Sequence, residues 1–266
     1  MRHLSLCAGI GGIDLGLHRC IKGLRTVAMV EREAFCIAHL VSKMQAGELD
    51  AAPIYPDLHR FPWSKYRGCV DIVSGGFPCQ PFSMEGLRKA TEDPRHLWPV
   101  IKSGLAVLRP RACFFENVDG IVNAPSPGYH SVLHNVLCDL ERLGFRSTAG
   151  CFTASELGAP HKRKRWFILG VCDSNSAPLQ RSRPPSRTQP QHSDFDSPSA
   201  EPWPAEPGSE QHGWEAPRTL EPNLGRSTDG LSYRLDRLRA LGNAVVPGTA
   251  ARAFSTLWYE LNPERN

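Results

Sequence analysis

Three groups of side chains in this sequence could do covalent chemistry together. The first is Cys79, in Val73-Ser74-Gly75-Gly76-Phe77-Pro78-Cys79-Gln80-Pro81-Phe82-Ser83. Pro78 and Pro81 fix φ on either side of Cys79 and Gln80 and restrict the residue ahead of each, so the thiol is held on a stiff turn. The second is Glu116, in Glu116-Asn117-Val118 directly after the apolar run Ala112-Cys113-Phe114-Phe115. The third is the cationic run His161-Lys162-Arg163-Lys164-Arg165, in which Arg163 and Arg165, alternating on an extended segment, would point the same way. A thiol nucleophile, a carboxylic acid and fixed cations are the parts of an acid-assisted covalent reaction. Each has a bland alternative when taken alone: an inert buried cysteine, a surface glutamate, a solvated basic loop. Their combination argues for a site.

The surrounding pattern would deliver these groups to one edge of a sheet. Val70-Asp71-Ile72-Val73 reads as a buried strand ended by a glycine pair, which places Cys79 at the carboxyl edge where ligands collect in open α/β sheets. Glu116 stands at the tip of a second strand. Nearer the start, Leu4-Ser5-Leu6-Cys7 is a strand that enters Ala8-Gly9-Ile10-Gly11-Gly12 and then a helix with Ile13, Leu17 and Ile21 on one face. A strand, a glycine-rich turn and a helix amino terminus can cradle a nucleotide-type group, although tight strand-to-helix turns also use glycine for structural reasons. The next strand, 26–30, ends in Glu31, an acidic residue placed to accept from two vicinal ribose hydroxyls. Further helices are expected at 33–45, 97–108 and 130–143, and further strands at 148–153 and 165–171. Between them lie a loop at 53–62 carrying Asp57, placed either to accept from an adenine amino group or to cap its own loop, and a polar stretch at 84–96 with the composition of a mobile lid.

Composition narrows the classes. The chain has 266 residues, 41% of them hydrophobic, no apolar run of membrane-spanning length and no secretory leader pattern, so a cytoplasmic protein is expected. Nine cysteines are scattered with no C-x-x-C pair, which indicates neither a zinc site nor a disulfide framework; no metal is expected. The net charge of +4 is uneven. Residues 173–230 hold five arginines, no lysine and nine acidic residues, which leaves +8 on the remainder, the part that would face a polyanion. That same tract has ten prolines between Pro178 and Pro222 and no Ile, Val, Met or Tyr, and it reads as irregular. Order is expected to return near Leu235, with Leu241-Gly242-Asn243-Ala244-Val245-Val246-Pro247 leading into a closing helix whose Ala250, Phe254, Leu257, Trp258 and Leu261 share a face. The organisation expected is therefore a catalytic domain at 1–172, a Pro-rich recognition or linker region at 173–230, and a C-terminal motif and helix at 231–266 that complete the first domain.

Taken in order, Leu6-Cys7-Ala8-Gly9-Ile10-Gly11-Gly12, Glu31, Gly75-Gly76-Phe77-Pro78-Cys79-Gln80-Pro81-Phe82-Ser83, Glu116-Asn117-Val118, Arg163-x-Arg165 and Gly242-Asn243-Ala244-Val245-Val246-Pro247 resemble the cytosine-C5 DNA methyltransferase family. The resemblance implies a doubly wound, Rossmann-like α/β sheet with a small recognition insert, S-adenosyl-L-methionine as methyl donor, double-stranded DNA as partner and a monomeric enzyme of bacterial or phage type. It further implies cofactor contacts at Gly9, Gly11, Glu31, Asp57, Pro78, Trp98 and Asn243. The catalytic residues it implies are Cys79 as nucleophile, Glu116 as acid, and Arg163 and Arg165 as cations holding the base and the site. Cys7 departs from the family, which usually has an aromatic residue there, and His161 stands where a glutamine is usual. An RNA-directed branch of the same chemistry and a non-catalytic DNA-binding relative remain as alternatives.

Overall fold

The computed structural model describes residues 1–78, 97–126, 128–172, 210, 213 and 232–263. Cys79, Gln80, the lid expected at 84–96 and nearly all of the Pro-rich tract lie outside the described residues. The elements are β1 (Arg2–Leu6), α1 (Gly12–Cys20), β2 (Arg25–Val30), α2 (Ala34–Gln45), β3 (Ile54–Tyr55), β4 (Ile72–Gly76), α3 (Trp98–Leu108), β5 (Ala112–Val118), α4 (Val132–Arg142), β6 (Phe145–Thr153), β7 (Lys164–Cys172), α5 (Ser232–Asn243) and α6 (Pro247–Leu261). The strands form one sheet in the order β3-β2-β1-β4-β5-β7-β6. β1 to β5 run parallel, whereas β7 pairs antiparallel with both β5 and β6.

Near-continuous apolar strands force helices onto both faces. In β5, Cys113 and Phe115 join the core beneath α3 and α4, with Ile101, Leu105, Val136 and Leu140. Phe114 points the other way, into the core beneath α1 and α6 with Leu17, Ala250, Phe254 and Leu257. The helices α1 and α6 approach closely because two residues have no side chain: a Cβ on Gly12 would lie 2.0 Å from the Val245 carbonyl oxygen, and one on Gly16 would lie 2.6 Å from the Pro247 carbonyl oxygen. On the opposite face Asp139 of α4, 4% exposed, accepts from Trp98 Nε1 at 2.9 Å and Lys102 Nζ at 2.6 Å, tying α3 to α4. Among the described residues no helix is long and apolar enough to cross a membrane.

Because β2 lies on one side of β1 and β4 on the other, the chain reverses its direction of winding between β1 and β4. In a doubly wound sheet the crevice outside the carboxyl ends at this reversal is the ligand site. The glycine turn follows β1 and the Phe77-Pro78 turn follows β4. An open depression at the opposite edge, lined by Arg2, Arg25, Asp71 and Arg111, is far from both.

Candidate active site

Glu116 is in register with Gly76 across the parallel β4–β5 pair, so the acid and the turn that leads to Cys79 are neighbours by strand pairing. Its Oε2 faces Gly76 so closely that a Cβ there would lie 3.0 Å away. Oε1 meets Arg165 Nε at 2.8 Å. The antiparallel course of β7 makes this pair possible: it brings the amino end of that strand, at Arg165, to the edge where β5 finishes. Glu116 is 6% exposed, and burial pushes its carboxyl up to about 7 even though Arg165 and Arg163 favour the charged form. A carboxyl tuned in this way can give or take a proton near neutrality.

Asn117, singled out in the sequence only as part of a motif, holds the neighbouring Phe77-Pro78 segment. Its Nδ2 donates to the Phe77 carbonyl at 2.9 Å, and its Oδ1 accepts from the Val118 N–H. Phe77 in turn packs between Trp98 and Phe115, with centroids 5.4 and 5.9 Å away. Pro78, exposed, is the last described residue before Cys79.

Arg163 and Arg165 were expected to alternate on one extended segment, and here the structure corrects the reading. β7 begins at Lys164, and Arg163 sits before it with φ of 30°. That kink ends the connection from β6, which passes through a short helical turn at Ala154–Leu157. The Arg163 guanidinium donates to the carbonyls of Gly242 and Ala244, the residues on either side of Asn243, while Arg165 also reaches the Gly242 carbonyl at 3.4 Å. Both cations therefore converge, but Arg163 does so as a strap on the C-terminal motif.

The remaining expected residues fall into two groups. Glu31, 8% exposed, accepts from the Gly9 N–H at 2.7 Å through Oε2 and from the N–H groups of Arg32 and Glu33 through Oε1. Gly9 has φ of 57° and faces open space where a Cβ would stand, and the amino end of α1 at Gly11 carries no side-chain cap. A buried carboxylate, open backbone and free helix N–H groups suit a ligand with hydroxyl and polar edges. Cys7, at the start of this turn, is no nucleophile: burial and the nearby Glu31 push its thiol up to about 12. Asn243 is exposed at the end of α5. By contrast, Asp57 closes its own loop, accepting from the His59 N–H at 2.8 Å and facing Arg60 at 3.6 Å. Trp98 is 5% exposed, packed on Phe77 and Phe115 with its N–H bound to Asp139, so the structure gives it a core position.

The family model for C-5 cytosine-specific DNA methylase matches residues 1–217, most of the chain. The chain belongs to this family. Its curated relatives include the type II methyltransferase M.AplI of Arthrospira platensis, 31% identical over 169 residues that cover 62% of this chain and 44% of that protein. Another is M.NgoMIV of Neisseria gonorrhoeae, 30% identical over 168 residues covering 63% and 51%. The chain thus spans about half the length of the curated relatives it matches. Among solved structures, the Dnmt2 methyltransferase of S. pombe superposes with a TM-score of 0.54 at 20% identity, over 66% of this chain and 52% of that one. DNMT2 of Spodoptera frugiperda gives 0.54 at 21% identity, over 70% and 55%. At that identity the likeness is one of fold, and it agrees with the doubly wound sheet expected for the family.

Proposed function

We propose that this chain transfers a methyl group from S-adenosyl-L-methionine to C5 of cytosine in duplex DNA, through a transient bond between Cys79 and C6 of a base turned out of the helix. The observation that carries the reading is Glu116: a buried carboxyl raised to about 7, paired with Arg165, in register with Gly76 on the strand that leads into Pro78-Cys79-Gln80. Family membership and the wording of the relatives' names, type II methyltransferases, point the same way.

Cytosine C5 is a weak nucleophile. Addition of the Cys79 thiolate at C6 makes the ring enamine-like and activates C5. Glu116 in its protonated form hydrogen-bonds N3 and gives up its proton as charge develops there, and Arg165 holds the base O2. Arg163 fixes the segment around Asn243. Glu31, Gly9, Gly11, Pro78 and Asn243 would hold S-adenosyl-L-methionine, which when bound supplies an electrophilic methyl group. Once C5 has been methylated and its proton removed by a base, the thiolate leaves C6 and the double bond is restored. A ring that must be reached at C6, C5 and N3 together has to leave the base stack, at a cost of a few kcal/mol.

The test is trapping on duplex DNA carrying 5-fluorocytosine, in which the proton-removal step is blocked. Wild-type protein should form a denaturation-resistant adduct and Cys79→Ser protein none; an adduct that persists in the variant removes Cys79 from the mechanism. Methyl incorporation into duplex DNA set against tRNA decides the substrate class.

A further inference from the structure

Beneath α1, where a doubly wound sheet would normally be apolar, lies a closed set of polar side chains. His3, Ser5, Asp14, Thr26 and Ser74 are each at most 1% exposed. Ser5 Oγ donates to Asp14 Oδ2 at 3.0 Å. His3 spends both ring nitrogens inside the protein, Nδ1 on Thr26 Oγ1 at 3.0 Å and Nε2 on Ser74 Oγ at 2.7 Å. Asp14 Oδ1 has no hydrogen-bond partner and lies 3.8 Å from His3 Nδ1. At the edge of the set, His18 Nε2 lies 3.4 Å from Thr26 Oγ1 and 3.2 Å from Asp50, whose carboxylate also accepts from the Thr26 N–H.

The connectivity of these bonds matters more than their number. Ser5 and Ser74 are paired in register across β1 and β4, the two strands that flank the winding reversal. Ser5 lies shortly before the glycine turn, Asp14 is in the first turn of the helix that follows it, and Ser74 lies shortly before Phe77-Pro78-Cys79. An apolar contact between α1 and the sheet would tolerate a slide of a fraction of a turn. This one does not, because any slide leaves buried polar atoms unpaired.

We propose that Asp14 and His3 are positioning residues: acting through Ser5 and Ser74, they lock the glycine turn after β1 and the Phe77-Pro78 segment after β4 into one mutual placement. The proposal deepens the functional reading above, in which the first of these segments holds the methyl donor and the second leads into the nucleophile. Burial holds the His3 imidazole neutral, its pKa driven down to about 3, and pushes the Asp14 carboxyl up to about 6. The imidazole is therefore neutral at pH 7, whereas the Asp14 carboxyl is still mostly ionised there and accepts the Ser5 hydroxyl proton. The titratable groups facing it are His18 on the same helix, itself pushed down by burial, and Asp50 beside β2.

The experiment is amide hydrogen exchange on the full chain, for wild type, Ser74→Ala and Asp14→Asn, after correction for intrinsic rates. Each variant is expected to lower protection at least ten-fold in both segments, 6–12 and 74–77, while β6 keeps its protection. Acceleration confined to the segment that carries the substitution overturns the proposal. Should Asp14→Asn fail to fold, Ser74→Ala, which removes one hydroxyl, still decides it. In turnover assays both variants should lower kcat about ten-fold or more with KM for S-adenosyl-L-methionine within about two-fold, and Ser74→Thr should recover part of the loss. A loss expressed in KM alone counts against a positioning role. If wild-type protein neither binds S-adenosyl-L-methionine nor methylates DNA, the functional reading falls, and the exchange data still decide the coupling.

Discussion

Arg165 Nε lies 2.8 Å from Glu116 Oε1, yet the Glu116 carboxyl is held near 7. Desolvation outweighs the guanidinium. Because the folded-state pKa is raised above the usual carboxylate value, this group's contribution to stability is complete below that ordinary value and is lost as pH rises through about 7. Denaturation measured across pH 4 to 9 should therefore show stability declining toward neutrality by on the order of a few kcal/mol from Glu116. Glu116→Gln should flatten that decline while lowering activity by about 10²–10⁴-fold, since an amide cannot give up a proton. Arg165→Ala should steepen it, by removing the main charge that favours the carboxylate. A Glu116→Gln protein with the same pH profile as wild type would show that the decline arises elsewhere.

Beyond the β4–β5 ladder, the Asn117 bond to the Phe77 carbonyl ties β5 to the segment that leads into the proposed nucleophile Cys79. Asn117→Ala leaves that buried carbonyl unpaired and should cost about 1–3 kcal/mol in urea denaturation. Asn117→Asp sets a carboxylate oxygen against the carbonyl and should cost more. Both should slow adduct formation on 5-fluorocytosine DNA beyond what the loss of folded protein explains. Adduct formation at the wild-type rate would show that the turn keeps its shape without the bond.

Most of the sheet could be read from the chain, because buried parallel strands announce themselves as short β-branched or aromatic runs. Ala112-Cys113-Phe114-Phe115 is one such run, although the strand continues through Val118 and takes Glu116 into its ladder rather than leaving it at the tip. The antiparallel course of β7 could not be read, since direction depends on which neighbour the strand meets and the apolar run 166–169 reads the same either way. Arg163 was misplaced for the same reason. Its spacing from Arg165 suits a strand, but the kink at the return from β6 sends its guanidinium to the Gly242 and Ala244 carbonyls. Only the family resemblance places Trp98 at the cofactor, and nothing local revealed Asp139, distant in sequence, as the partner of its N–H. The polar set beneath α1 was equally silent: His3, Ser5 and Ser74 acquire meaning through strand register, and Asp14 through the helix lying on them.

The glycines after β1 divide by what faces them. A Cβ at Gly12 would lie 2.0 Å from the Val245 carbonyl oxygen, a backbone atom that cannot move without shifting the segment leading into α6. At Gly9 the same group would meet open space and suffer only the strain of its positive φ. Gly12→Ala should therefore lower thermal stability severely, with a Tm loss well beyond that of Gly9→Ala, whose strain is about 1–2 kcal/mol. Gly9→Ala should fold but weaken S-adenosyl-L-methionine binding, read by calorimetry. Equal Tm losses would mean that both positions serve packing alone.

Trp98 can be assigned by a substitution that separates its two properties. Its ring packs on Phe77 and Phe115, and its N–H feeds Asp139, which Lys102 and Arg142 also approach. Trp98→Phe keeps an aromatic ring and removes the N–H, so Asp139 loses one of its donors; the expected loss is about 1–3 kcal/mol, the range for hydrogen bonds to charged groups. Asp139→Ala should cost a similar amount, because it strands the buried indole N–H, and the double variant should cost less than the two single losses together, since both break one bond. If Trp98 is a core residue, as its 5% exposure indicates, Trp98→Phe binds S-adenosyl-L-methionine within two-fold of wild type while its denaturation midpoint falls. A ten-fold loss of affinity at unchanged stability would return Trp98 to the cofactor site.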